Sequence, residues 1–200
     1  NNLADMDAAL RAVFEIEGPG CVVLKHMNPC GGAEHIDGLV PAFELALAGG
    51  PVSAFGGIVA FNRPVDAETV RAIRKSRTFF EVLAAPGFSE EAKALLAPRE
   101  KLRVMELPED WAQCDPQGTD ARRIQGGWLI QDWDHEGPME WNVASKRTPN
   151  ESESGCLRFA WRLSRAVKSN AIVYARAEQT IGVGAGQMSR VVSAKIAGLK

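Results

Sequence analysis

Lys25 and His26 stand side by side after the apolar run Cys21-Val22-Val23-Leu24 and just before Asn28-Pro29-Cys30-Gly31-Gly32. An imidazole acts as a base near neutral pH, and an ammonium beside it can steady a developing oxyanion. Neighbouring side chains in an extended segment diverge to opposite faces, so both reach one substrate only if the chain bends. The turn-forming residues Asn28 to Gly32 are expected to supply that bend. The pair also fits a plain surface lysine beside a satisfied histidine. A second pattern runs from Ile181 to Arg190, with glycines at 182, 184 and 186. Strand, glycine turn and helix start in that order offer backbone N–H groups and Arg190 to an anion. The same glycines equally suit a tight turn needed only for packing. Neither the dinucleotide fingerprint nor a Walker loop is present.

Asn170 follows Lys168-Ser169 directly before an extended segment. It can hydrogen-bond a carboxamide or formyl oxygen, or simply form a turn. Glu81 lies inside the apolar run Phe80 to Ala85. A carboxylate there is costly unless it meets a partner or ligand, or faces solvent on an edge strand. His26, Pro29 and Cys30 overlap part of the zinc-deaminase signature, but Asn28 stands where its glutamate belongs and no second cysteine lies three residues on. The four cysteines, at 21, 30, 114 and 156, are too scattered for a zinc or disulfide framework. No metal is expected.

The elements that must position these residues alternate between helical and extended, which predicts an α/β fold. Helices are expected over Leu3–Phe14 with Asn2 as cap, Pro41–Ala48, Asp66–Lys75, from Ser89 to Leu96, Ser154–Val167, and from about Ser189 onward. The fifth is expected to turn Leu157, Ala160, Trp161 and Ser164 to one face. Strands are expected at Cys21–Leu24, Gly57–Phe61, Phe80–Ala85, Leu102–Leu107, Ala171–Ala175 and Thr180–Val183. Residues 108–153 read as a connector with one strand or hairpin around Gly127–Gln131.

Composition narrows the function. A net charge of -2 over 200 residues, with both signs well mixed, argues against nucleic-acid binding. No apolar run approaches the roughly 18 residues of a membrane span, and the polar first residues carry no secretory signal. A cytoplasmic, reduced protein is expected.

Seven blocks in order make the chain similar to the AICAR transformylase region of the bifunctional purine-biosynthesis enzyme. They are residues 1–5, Lys25–Gly31, Ser53–Ala60, Glu81–Pro86, Gly126–Gln131, Lys168–Val173 and Gly182–Arg190. The resemblance implies formyl transfer from 10-formyltetrahydrofolate to the 5-amino group of AICAR, in the synthesis of IMP. It implies His26 as base, Lys25 as support for it and for the oxyanion, and Asn170 as an orienting group. It further implies that Asn28, Phe55, Gly56 and Glu81 line the substrate and folate pocket, and that Arg190 meets a phosphate or carboxylate. The implied fold is cytidine-deaminase-like, with three-layer α/β lobes lacking zinc. One full lobe (1–107) would be followed by the connector (108–153) and the start of a second lobe (154–200). The implied assembly is a homodimer with active sites at its interface. The family's Arg-Tyr-Gly-Glu-Asn-Pro-His-Gln segment, its C-terminal Phe-Pro-Phe stretch and its cyclohydrolase domain are not among these letters, so a fragment and a shortened member are both expected forms. The alternatives are a non-catalytic AICAR- or folate-binding or interaction module, and IMP cyclohydrolase activity.

Overall fold

The computed structural model describes residues 2–108, 119–132, 134 and 140–199. The expected site residues all fall within these, whereas Asn1 and Cys114 lie outside them.

The apolar runs form the centre of a mixed sheet of seven strands. In chain order these are β1 (Gly20–Lys25), β2 (Asn28–Glu34), β3 (Gly57–Phe61), β4 (Phe80–Ala85) and β5 (Arg103–Glu106), then β8 (Ile172–Arg176) and β9 (Gln179–Gly184). Their order across the sheet is β5-β4-β3-β1-β2-β9-β8. Strands β3, β4 and β5 run parallel, and β1 is antiparallel to both β2 and β3. Between β5 and β8 the chain makes a separate hairpin, β6 (Thr119–Ile124) and β7 (Gly127–Asp132), within the expected connector.

Helices cover both faces, so the expected α/β class is what the chain adopts. On one face α2 (Leu39–Ala48), α3 (Ala67–Lys75) and α4 (Glu90–Leu96) bury Phe43, Val70, Ile73 and Leu96 against Val23, Val59, Phe61 and Leu83. On the other, α1 (Asn2–Phe14) and α5 (Glu151–Ser164) bury Leu10, Val13, Phe159 and Leu163 against Val22, Leu24, Ile58 and Val82. The last helix, α6 (Arg190–Ala197), packs on β9. Alternate residues of β1 and β3 thus enter two different cores, which is why these strands are continuously apolar.

Helix starts follow their caps. Asp66 accepts from Thr69 N–H at 2.8 Å and Ser89 from Ala92 N–H at 3.1 Å. Asn2, expected as a cap, is instead the first residue of α1, and its side chain reaches Glu81. Helix α2 begins two residues before Pro41, which sits in the first turn where a missing N–H costs nothing. Helix α5 also starts early, because Asn150 and Glu153 form a capping box. Its buried face is Phe159 and Leu163; Leu157 and Trp161, expected together on one face, are about half exposed. Apolar residues line both sides of α5, and only the sheet decides which side is buried.

The other correction concerns Asn28 to Gly32. These residues form strand β2, and the bend lies one step earlier, at His26-Met27. Turn-like letters occur in this strand because helix α2 lies on it. A Cβ on Gly31 would sit 1.8 Å from the Ala46 carbonyl oxygen, so only glycine fits. Pairing also steps from Val23–Gly31 to Leu24–Pro29, leaving Cys30 as a bulge, a place where proline is tolerated.

Candidate active site at one edge of the sheet

Strand direction gathers the expected residues. Strand β1 ends where β3 begins, since Leu24 pairs with Ile58, and the parallel strands β4 and β5 begin on that side too. Strand β9 runs against β2, so its end at Gly184, paired with Ile172, lies on the same side as Asn28. Lys25, Gly57, Phe80, Arg103, Ile172 and Gly184 therefore mark one edge of the sheet.

The two residues joining β1 to β2 are His26 and Met27, with φ of 53° and 59°. A two-residue hairpin with both φ positive matches the twist of its strands, but side chains there cost about 1–2 kcal/mol each. The conformation persists because neighbours over-determine it. Met27 N–H donates to Asp5 Oδ1 at 2.8 Å, and Asn28 Nδ2 donates to the His26 carbonyl at 3.0 Å. The result is an exposed imidazole at the apex. Lys25 turns aside, donating from Nζ to the Phe55 carbonyl at 2.7 Å. An ammonium has three donors, so two are left for a ligand.

Phe55 and Gly56 are held against the start of β4. Gly56 N–H donates to the Phe79 carbonyl at 2.7 Å, and the Phe55 and Phe79 rings lie 5.8 Å apart. Across the tip, Asn28 Oδ1 accepts from Lys168 N–H at 3.0 Å, which ties the hairpin to the Asn170 segment. Asn170 spends its Nδ2 on the Gln187 carbonyl at 2.9 Å, and its own carbonyl accepts from Ser193 at 2.8 Å. Its amide thus closes the glycine turn onto α6.

Of those glycines, 182 and 184 lie within β9. A Cβ on either would stand 2.0 Å from a backbone oxygen of α6, so packing demands them. Only Gly186, with φ of 67°, is in the turn itself. Arg190 is exposed at the first position of α6. The hydrogen bonds of the hairpin tip do not extend to it.

Glu81 is explained by irregular pairing. The register passes from Gly57–Phe80 to Ile58–Val82, so Glu81 is the extra residue of a bulge in an interior strand. A bulge re-aims a side chain. Here Glu81 Oε2 accepts from Asn2 Nδ2 at 2.8 Å and lies 3.9 Å from Arg103. Beside it an open cavity of about 520 Å³ is lined by Asn2, Leu3, Met6, Val82, Arg103 and Met105. That volume is within the range of small-molecule sites.

The Cys21 and Cys30 thiols are not placed for chemistry. Burial pushes the Cys21 thiol well up, with Cys30 adding to the effect, and Cys30 donates to the Val23 carbonyl. Among the described residues no three His, Cys, Asp or Glu converge on a metal position. No described helix is long and apolar enough to cross a membrane.

The family model described as AICARFT/IMPCHase bienzyme matches residues 1–200. The chain belongs to that family. The AICARFT/IMPCHase bienzyme is an enzyme family of purine biosynthesis. Within this family member, letters alone missed Asp5, Lys168 and Phe79. Asp5 passes for an ordinary acid in the first helical turn, favourable to the helix dipole. Lys168 acts through its main-chain N–H and Phe79 partly through its carbonyl, and main-chain groups leave no mark in the side-chain pattern.

Proposed function

We propose that the chain carries the transformylase half of the family's chemistry, transferring a formyl group from 10-formyltetrahydrofolate to the 5-amino group of AICAR. The observation that carries this reading is the Lys25-His26 apex: a base is presented outward while the neighbouring ammonium is anchored to Phe55 with donors to spare. The amine nitrogen attacks the formyl carbon, and His26 takes the amine proton as the new C–N bond forms. Lys25 stabilises the oxyanion of the tetrahedral intermediate. Its collapse breaks the bond to N10 of the folate, which receives a proton and leaves as tetrahydrofolate.

Asn170 orients the carboxamide or formyl group through its Oδ1, since its Nδ2 is engaged with Gln187. Asn28, Phe55, Gly56 and Glu81 line the pocket, and Arg190 meets a phosphate or carboxylate. In this reading residues 1–107 are a cytidine-deaminase-like lobe without zinc, 108–153 the connector, and 154–200 the start of a second lobe whose strands extend the sheet. The protein works in the cytoplasm as a homodimer. The separate hairpin supports association, because its two strands have no core of their own yet expose Trp128, Leu129 and Ile130.

Two assays separate this reading from cyclohydrolase activity. AICAR with 10-formyltetrahydrofolate is expected to release tetrahydrofolate, and formyl-AICAR alone is expected to remain open. Ring closure without formyl transfer would assign the chain to the other half of the family's chemistry.

A further inference from the structure

The seven-stranded sheet has a short seam, and it divides the expected site residues. His26 and Asn28 belong to the β1–β2 hairpin. Asn170 is bonded instead to the turn after β9: its N–H donates to the Gln187 carbonyl at 3.0 Å, and Gly186 N–H donates to the Lys168 carbonyl at 2.8 Å. Between the two groups lies the join of β2 to β9. Its register holds the single pair Ala33–Gln179, at the end of β2 away from His26.

The ladder stops there because of a hydroxyl. Glu34 N–H donates to the Glu178 carbonyl at 3.0 Å, as an antiparallel ladder requires. Two residues along, the regular pattern would send Gly32 N–H to the Thr180 carbonyl. It goes to Thr180 Oγ1 at 2.8 Å, and that hydroxyl donates in turn to the Gly32 carbonyl at 3.2 Å. Thr180 is fully buried, so both bonds are shielded from water. From Gly31 back to Asn28 the two strands have no further register pair. The next tie is again a side chain, and it stands at the candidate site. Asn28 Oδ1 accepts from Lys168 N–H at 3.0 Å, while Asn28 Nδ2 donates to the His26 carbonyl.

We propose that Thr180 is a positioning residue for the reaction at this edge. By ending the β2–β9 ladder at Gly32 it sets the gap that Asn28 spans, and with it the placement of His26 relative to the Asn170 segment. The catalytic part rests on the transformylase reading; the coupling of Thr180 to the Asn28–Lys168 tie rests on the seam alone. One atom must both accept and donate at this position. Serine can do so, whereas valine has nearly the same shape and neither capacity.

Amide hydrogen exchange on the full chain reads the coupling without substrate. Thr180→Val is expected to lower protection of Lys168 N–H, at the other end of the seam, at least about fivefold. Amides pairing β1 with β3 should keep theirs. Thr180→Ser should stay within about twofold of the parent at Lys168. Coupling is reciprocal, so Asn28→Ala should lower protection of Gly32 N–H by a similar factor. That variant, with Thr180→Ser, decides the matter if Thr180→Val does not fold. In formyl transfer, Thr180→Val should lower kcat about tenfold and leave KM for AICAR within about twofold, and Thr180→Ser should restore kcat. Unchanged protection of Lys168 in Thr180→Val, or of Gly32 in Asn28→Ala, overturns the coupling. An unchanged kcat in a variant whose Lys168 exchange has risen overturns the positioning role. Coupling in a chain without formyl transfer would leave the seam standing and remove the transformylase reading.

Discussion

At the hairpin apex two L-residues hold backbone angles that glycine would adopt freely, and the groups that hold them there are few. Asp5 accepts from Met27 N–H, and Asn28 binds the His26 carbonyl. Removing the carboxylate with Asp5→Ala is expected to let the apex rearrange and to cut turnover about tenfold. Met27→Gly, made on that background, should recover most of the loss because glycine needs no support at φ of 59°. Steady-state kinetics of the two variants check this, and a defect that glycine does not relieve would assign Asp5 a different part. By itself Met27→Gly should raise stability by about 1 kcal/mol, measured by urea unfolding. Glu153 offers a pH test at the same scale. Two bonds from the Arg147 guanidinium and one from the Asn150 N–H hold its carboxyl at about 2, below its ordinary 4.5. Its folded value is the lower one, so its stabilisation is complete above the ordinary range and is lost as pH falls toward 2. Carbon-detected titration should place the Glu153 midpoint near 2 in the parent and move it upward in Arg147→Ala, short of the ordinary value because the Asn150 N–H bond remains.

Among the elements, β2 shows where letters stop predicting structure. Asn-Pro-Cys-Gly-Gly spells a turn, yet a helix laid directly on Gly31 makes it a strand. That constraint comes from α2, residues away in sequence, and no local pattern carries it. Gly31→Ala would force the Ala46 carbonyl aside and is expected to cost about 3 kcal/mol or more, visible as a lower melting temperature. Strands β1 and β3 were legible because burial on both faces makes them continuously apolar, and β4 because only Glu81 interrupts its apolar run. Helices α3 and α4 were legible through Asp66 and Ser89. Helix α5 was legible as a helix but not as a face, since Leu157 and Trp161 compete with Phe159 and Leu163 for burial. Trp161 instead meets Trp141 edge-on, with ring centres 5.8 Å apart. Its cap is testable too: Asn150→Ala should cost about 1 kcal/mol.

For the molecule as a whole, the sheet does the gathering. Residues 25, 55, 81 and 170 come from four separate segments, and only the strand order places them at one edge. Their types were legible in the sequence, but the assignments of Asn28, Asn170 and Glu81 to protein partners were not, because bulges and main-chain acceptors decide them. The exposed β6–β7 hairpin belongs to this scale. Replacing Trp128 and Ile130 by serine is expected to shift sedimentation from dimer toward monomer without unfolding the sheet, which shares no strand with the hairpin. The central claim, that His26 at the apex is the base of a formyl transfer, is tested most directly by tetrahydrofolate release. The chain and its His26→Ala variant would be compared with AICAR and 10-formyltetrahydrofolate. Turnover in the parent that drops at least about a hundredfold in the variant is the expected result, and turnover unchanged by the substitution would contradict it.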